Sequence, residues 1–166
     1  MEDGVTDRLL GNNEAFAEAF DRGHLDVAPS LHLAVVACMD SRLDVFSVLG
    51  LEDGQAHILR NAGGVITDDM VRSLAISQRR LGTEEIILIH HTDCGMAKVT
   101  DDGFRNELQE ATGMAPSFAI ESFTDTDANV RQSIARLRNS PFLLHRDRIR
   151  GFVYDVDTGA LLEVAE

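Results

Sequence analysis

Short apolar segments recur along the chain, and several are rich in β-branched residues. Runs of this kind, bounded by polar or glycine-containing segments, are typical of strands that are buried on both faces of a parallel sheet. The residue after each run is polar, or lies in a turn that contains Asp, Asn or Gly. The pattern predicts strands over residues 31–38, 55–60 and 84–91.

Between and after these strands, apolar residues recur at the spacing of a helix. Thr67 is a suitable N-cap, and Asp68 places a carboxylate in the first turn, where it opposes the helix dipole. This helix is predicted to continue to Gly82, a residue that commonly ends helices. Two later helices are predicted over residues 101–111 and 127–139.

The two ends of the chain differ from this alternating centre. Asn12 or Asn13 predicts the start of a short helix that runs through residues 16–20. Near the other end, residues 149–156 and 160–164 are predicted to form a hairpin, because an Asp-Thr-Gly turn joins them.

Strands that alternate with helices predict an α/β fold, in which a mostly parallel central sheet is flanked by helices. We expect residues 1–30 to form an N-terminal helical arm and residues 31–166 to form a single α/β domain with a C-terminal hairpin at the sheet edge. The carboxyl ends of parallel strands usually hold the ligand in such sheets. We therefore expect the functional site at the carboxyl ends of the three strands, near residues 38, 61 and 91.

Composition narrows the function classes. The 166 residues include 15 Lys and Arg against 28 Asp and Glu, which gives a formal net charge of −13. This charge argues against nucleic acids and anionic membranes as partners, because both attract basic surfaces. The first residues lack the basic and apolar segments of a secretory signal, and no apolar run is long enough for a membrane helix. We therefore expect a cytoplasmic protein.

The chain has only two cysteines, and each lies close to another candidate metal ligand. Cys38 ends the first strand, and His91 and Cys94 follow the third strand three residues apart. Two thiolates and one imidazole favour a tetrahedral Zn²⁺ site, with one ion per chain. His90 is expected to face the opposite side of its strand, because adjacent strand residues alternate.

The fourth zinc position is open to either Asp40 or water. If Asp40 occupies it, the site is closed; if water does, the metal lowers the pKa of that water and makes it a nucleophile at mild pH. Arg42 can form a bidentate pair with Asp40 and hold its carboxylate off the metal. Asp40 would then be free to accept a proton from the water.

Three motifs together resemble the β-class carbonic anhydrases, in particular their short bacterial members. They are CMDSR at residues 38–42, RNAGG at residues 60–64 and HTDCG at residues 91–95. The resemblance implies a zinc enzyme that interconverts carbon dioxide and bicarbonate, with Cys38 as one of its zinc ligands beside His91 and Cys94. It also implies a homodimer or a multiple of dimers, with the site beside the subunit interface.

In this family Asp40 would either pair with Arg42 or move onto zinc. Many members carry a glutamine nine residues before the first cysteine, where it donates to substrate, but this chain has Pro29 there. Backbone N–H groups of the turn are the alternative donors. The candidate substrate-binding residues are Ala62, Gly63 and Gly64.

Several alternatives stay open at the level of sequence. The same site could hydrolyse carbonyl sulfide or carbon disulfide, which are linear molecules like carbon dioxide. It could also belong to a non-catalytic zinc-binding regulatory module in which Asp40 never leaves the metal, or Cys38 and Cys94 could form a redox pair. Asp93 could orient a zinc ligand or only hydrogen-bond within its own turn.

Overall fold

A five-stranded sheet forms the centre of the molecule, in a computed structural model that describes residues 4–165. The strands are β1 (Leu33–Cys38), β2 (Ala56–Asn61), β3 (Glu85–His91), β4 (Ile149–Tyr154) and β5 (Leu161–Glu163). Their order in the sheet is β2-β1-β3-β4-β5. The first four strands are mutually parallel, and β5 pairs antiparallel with β4. The predicted α/β fold with a mostly parallel sheet and a C-terminal edge hairpin is confirmed.

The described residues form five α-helices, and those with buried residues pack on the two faces of the sheet. They are α1 (Val5–Glu18), α2 (Val45–Leu49), α3 (Asp68–Leu81), α4 (Asp101–Thr112) and α5 (Thr126–Arg138). The α3 boundaries agree with the sequence prediction, since the Thr67 hydroxyl accepts from the Met70 N–H and Gly82 ends the helix with a φ of 73°. Within the described residues, no helix is both long and apolar enough to cross a membrane.

Strand β1 explains how the core is divided. It lies between β2 and β3, and its residues Ala34 to Ala37 have no solvent exposure. Because side chains alternate along a strand, Ala34 and Val36 join the apolar cluster under α3 and α5, whereas Val35 and Ala37 join the cluster under α2. Burial on both faces accounts for the continuous apolar run in the sequence.

Two elements begin two or more residues away from their predicted start. The first helix begins at Val5 and not at Asn12 or Asn13, because the Asp7 carboxylate accepts from the Gly4 N–H and so stabilises an earlier start. Strand β1 begins at Leu33 and not at residue 31, because His32 has a φ of 51°, which a strand cannot contain.

A glycine turn packs against the end of β1. Residues Ala62–Gly64 form one 3₁₀ turn directly after β2, and Gly63 and Gly64 have φ values of 83° and 68°. The Asn61 side-chain amide closes the turn by donating to the Val65 carbonyl at 2.8 Å. A Cβ atom on Gly64 would lie 2.9 Å from the backbone nitrogen of Cys38. Only glycine allows this close approach of turn and strand.

We predict that Gly64→Ala destabilises the protein more than Gly50→Ala does. Gly50 also has a positive φ, of 64°, but has no atom within 4 Å of its Cβ position. Both variants should lose about 1 kcal/mol from the left-handed backbone, and Gly64→Ala should lose about 1–3 kcal/mol more from overpacking. Urea unfolding measures the free energies. Equal losses would contradict the packing of this turn on β1.

Candidate metal centre

The carboxyl ends of three neighbouring strands meet at one edge of the sheet. Cys38 ends β1, Asn61 ends β2 and His91 ends β3. Cys38 and Asn61 are direct partners in the parallel register, and β3 lies on the other side of β1. The expected convergence of these strand ends is therefore present.

Three buried side chains at this edge could hold a metal ion. One ligand atom each from Cys38, His91 and Cys94 lies within 4.8 Å of the other two. Cys94 reaches the group because Asp93 adopts a left-handed φ of 55°, which turns the chain back just after β3. All three residues are at most 4% exposed. The structure thus brings together the two thiols and the imidazole that the sequence suggested.

His91 has the hydrogen bonding that a metal-binding histidine needs. Its Nδ1 lies 2.8 Å from the Thr92 carbonyl oxygen, so Nδ1 carries the proton and donates. Its Nε2 is buried and has no hydrogen-bond partner among the described residues. A buried nitrogen with a free lone pair is costly unless it has a ligand. With two thiols beside it, this donor set fits Zn²⁺.

The protein environment favours a thiolate at Cys38. Hydrogen bonding from the Cys94 thiol lowers the pKa of Cys38 to about 4, against the opposing effect of burial; the neighbouring His91 and the backbone N–H groups of Asp40 and Gly63 add to the lowering. The pKa of Cys94 is raised, because its thiol donates to the Cys38 thiolate and because burial disfavours a second negative charge beside the first. A bound cation would stabilise both thiolates together.

Asp40 and Arg42 form a tight pair beside the group. The Arg42 Nε donates to Asp40 Oδ1 at 3.0 Å and its Nη2 donates to Asp40 Oδ2 at 2.8 Å. The Arg42 guanidinium therefore holds the pKa of Asp40 well below its usual range. Asp40 Oδ2 is 3.7 Å from His91 Nε2, but Asp40 is not one of the three grouped residues. In this arrangement Arg42 holds the Asp40 carboxylate, and that carboxylate faces the metal-binding atoms.

Sequence reasoning missed Arg60, which supports the loop that carries Cys38. Its Nε donates to the Cys38 carbonyl at 2.9 Å and its Nη2 donates to the Asp40 carbonyl at 2.7 Å. Arg60 pairs with Ala37 in the parallel register. The strand prediction placed Arg60 beside the turn, but only the register of β2 against β1 could have revealed its contacts.

His90 belongs to the opposite side of β3 from the metal group. Its Nε2 lies 2.8 Å from the Asn129 side-chain oxygen on α5, and its ring packs 5.6 Å from the ring of Phe123. Burial lowers the pKa of His90, which favours the neutral ring. These contacts agree with the expected direction of the side chain.

The sulfur ligands lie in an apolar wall. Cys38 and Cys94 form one cluster with Val65 and Phe123, against which Met96 packs. A mostly apolar cavity of about 420 Å³ adjoins this wall and shares Val65 and Met96 with it. The centre therefore has an ionic side, formed by Asp40 and Arg42, and an apolar side.

Comparisons with known proteins agree with this geometry. A family model described as carbonic anhydrase matches residues 33–161. The chain is 54% identical to β-carbonic anhydrase 1 of Mycobacterium tuberculosis over 96% of this chain and 98% of the relative. It is 38% identical to a carbon disulfide hydrolase of Saccharolobus solfataricus, over 78% of this chain and 75% of that protein.

A similar solved structure is that of a carbonic anhydrase from Streptococcus mutans. The TM-score is 0.92 at 43% identity, and the match covers 99% of this chain and 100% of that chain.

Proposed function

This chain belongs to the β-carbonic anhydrase family, and we propose that Cys38, His91 and Cys94 hold its catalytic metal. It is a zinc enzyme that catalyses the reversible hydration of carbon dioxide to bicarbonate and a proton. The observation that supports this ligand set is the unpartnered, buried Nε2 of His91 beside two thiols. The carbon disulfide hydrolases are more distant relatives than the mycobacterial enzyme.

Zinc bound by these residues would supply the Lewis acidity that makes water a nucleophile at mild pH. Asp40 Oδ2 lies on the side of His91 Nε2, where it can accept a hydrogen bond or a proton from the attacking water. Arg42 occupies both oxygens of Asp40 and keeps the carboxylate ionised. In this role Asp40 orients the water, and Arg42 keeps Asp40 from becoming a fourth ligand.

The apolar cavity is the route we propose for carbon dioxide. Carbon dioxide has no charge, and the walls formed by Val65, Met96 and Phe118 suit an apolar molecule. Ala62 also lines this cavity, which supports the turn of Ala62, Gly63 and Gly64 as a substrate-binding element. Gly63 and Gly64 do not line the cavity, so Ala62 is the stronger candidate for contact with substrate.

We also propose that residues 1–30 form an arm that packs against a second copy of this chain. Helix α1 has no buried residue, and its Val5, Leu9 and Phe16 are 50–68% exposed. These positions share one helix face, since they are spaced by four and seven residues. Within residues 4–165, the outer edge of β2 pairs with no other strand. Apolar surface of this kind is usually covered by a partner.

The cytoplasm is the compartment that we propose for this enzyme. Both cysteines are free thiols in the structure, and thiols that serve as metal ligands persist in a reducing compartment.

Replacing Asp40 tests the proposed chemistry. Asp40→Asn should lower kcat for carbon dioxide hydration by about 10-fold to 100-fold, because the charged hydrogen bond that orients the attacking water is lost, while the zinc content stays at one per chain. Stopped-flow assays with metal analysis measure both. Asp69→Asn, which breaks another exposed pair with an arginine, is the control.

The same assays also test the direction in which the rate changes with pH. Because Arg42 lowers the pKa of Asp40, this carboxylate stays ionised from neutral to alkaline pH and adds no pH dependence of its own. The wild-type rate should therefore rise toward alkaline pH only as the attacking water loses its proton. Full activity of Asp40→Asn would contradict the role given to Asp40.

Charged residues introduced on the exposed apolar face of α1 should separate the subunits of the proposed dimer. We expect sedimentation velocity to show a dimer for the wild type and a monomer for the double variant Leu9→Glu, Phe16→Glu, because the substitutions place charges on the proposed interface. Leu162→Glu, at a leucine 60% exposed on β5, is the matched control and should remain dimeric. A monomeric wild type, or a dimeric double variant, would rule out this interface.

A further inference from the structure

Arg42 contacts two carboxylates and not only the one that the motif suggests. Its Nη1 donates to Asp93 Oδ2 at 3.0 Å, and its Nη2 also approaches the Asp93 carbonyl oxygen at 3.3 Å. Asp93 precedes Cys94 in the turn after β3, whereas Arg42 and Asp40 follow β1. The guanidinium therefore joins the two loops that supply the sulfur atoms.

The two carboxylates do not compete for the same nitrogen atoms. Asp40 accepts from Nε and Nη2 of Arg42, and the Asp93 carboxylate accepts from Nη1. The planar guanidinium is thus bound along two of its edges, which fixes its orientation better than one carboxylate could.

Asp93 is itself held in place. Its other carboxylate oxygen, Oδ1, accepts from the Lys98 ammonium group. Its backbone has a φ of 55°, a left-handed conformation that aspartate and asparagine adopt more readily than most residues. A series of charged contacts therefore runs from Lys98 through Asp93 and Arg42 to Asp40, whose carboxylate faces His91.

We propose that Asp93 is a positioning residue for the reaction. By holding Arg42, it keeps the Asp40 carboxylate paired with Arg42 and in a position to accept a hydrogen bond from the attacking water. This inference rests on the role proposed above for Asp40 and Arg42. It assigns Asp93 neither of the two roles that the sequence suggested, since its carboxylate contacts Arg42 and Lys98 and not a metal-ligand candidate.

The physical reason is the mobility of an exposed arginine. The Arg42 side chain is 46% exposed, and an exposed pair with one carboxylate is screened by water and opposed by side-chain entropy. A second carboxylate on a free edge of the guanidinium removes alternative orientations without changing the contacts to Asp40. Loss of Asp93 should consequently affect kcat more than substrate binding.

Asp93→Asn tests this proposal, because asparagine keeps the shape and tolerates the left-handed backbone but removes the charge. In zinc-loaded protein we expect kcat to fall about twofold to fivefold, as expected for one exposed ion pair, with KM changed by less than about twofold and zinc content unchanged. The matched control is Glu163→Gln, which removes a carboxylate from the exposed Arg150 on the far edge of the sheet. It should leave kcat and KM as in wild type.

A second measurement does not depend on turnover. NMR of the arginine Nε–Hε groups in the same zinc-loaded proteins should show faster hydrogen exchange with water at Arg42 in Asp93→Asn than in wild type or Glu163→Gln. Unchanged kcat together with unchanged Arg42 exchange would overturn the proposal, as would a loss of kcat that follows a loss of zinc.

The two measurements also separate this inference from the proposed function. If Asp40→Asn kept full activity but Arg42 exchange still increased in Asp93→Asn, the role of Asp40 would be wrong and the positioning of Arg42 by Asp93 would stand.

Discussion

Parallel pairing of β1 with β2 and β3 is the constraint on which the centre depends. It brings Cys38 and His91 to one edge of the sheet, although 53 positions separate them in the sequence. The turn after His91 then returns Cys94 to the same place. Burial of β1 on both faces makes this arrangement rigid, because a shift in register would move its side chains to the wrong face. The fold therefore determines which side chains can reach a common metal ion.

Backbone and arginine contacts then determine the charge of the centre. Backbone N–H groups of Asp40 and Gly63 help to lower the pKa of Cys38. Gly64 lets the Ala62–Gly64 turn lie against β1. Arg60 donates to the carbonyl groups of Cys38 and Asp40, and so holds the loop after β1 in the conformation that brings the Asp40 N–H close to the Cys38 sulfur. The result is a thiolate in an apolar wall beside an ionic pair. Such a site can bind a cation and a neutral, apolar substrate at once.

Much of this could be predicted from the sequence, for physical reasons. Apolar runs and helix caps identified the sheet and α3, because burial on both faces and an unpaired helix end each demand particular residue types. The start of α1 was missed, because an N-cap glycine gives a weak signal. The contacts of Arg60 and Asp93 were missed, because they depend on strand register and on one left-handed residue, which periodicity does not encode. The candidate ligands within each motif could be predicted, and the contacts between loops at the carboxyl edge of the sheet could not.

Zinc-edge X-ray absorption on the purified holoenzyme tests the central claim most directly. We expect a first shell of two sulfur atoms at about 2.3 Å and one imidazole nitrogen at about 2.0–2.1 Å, with one further light atom. The variant Cys94→Ser should retain a single sulfur in any zinc that remains bound. A wild-type shell without two sulfur atoms, or a disulfide between Cys38 and Cys94 in the zinc-loaded protein, would contradict the centre described here.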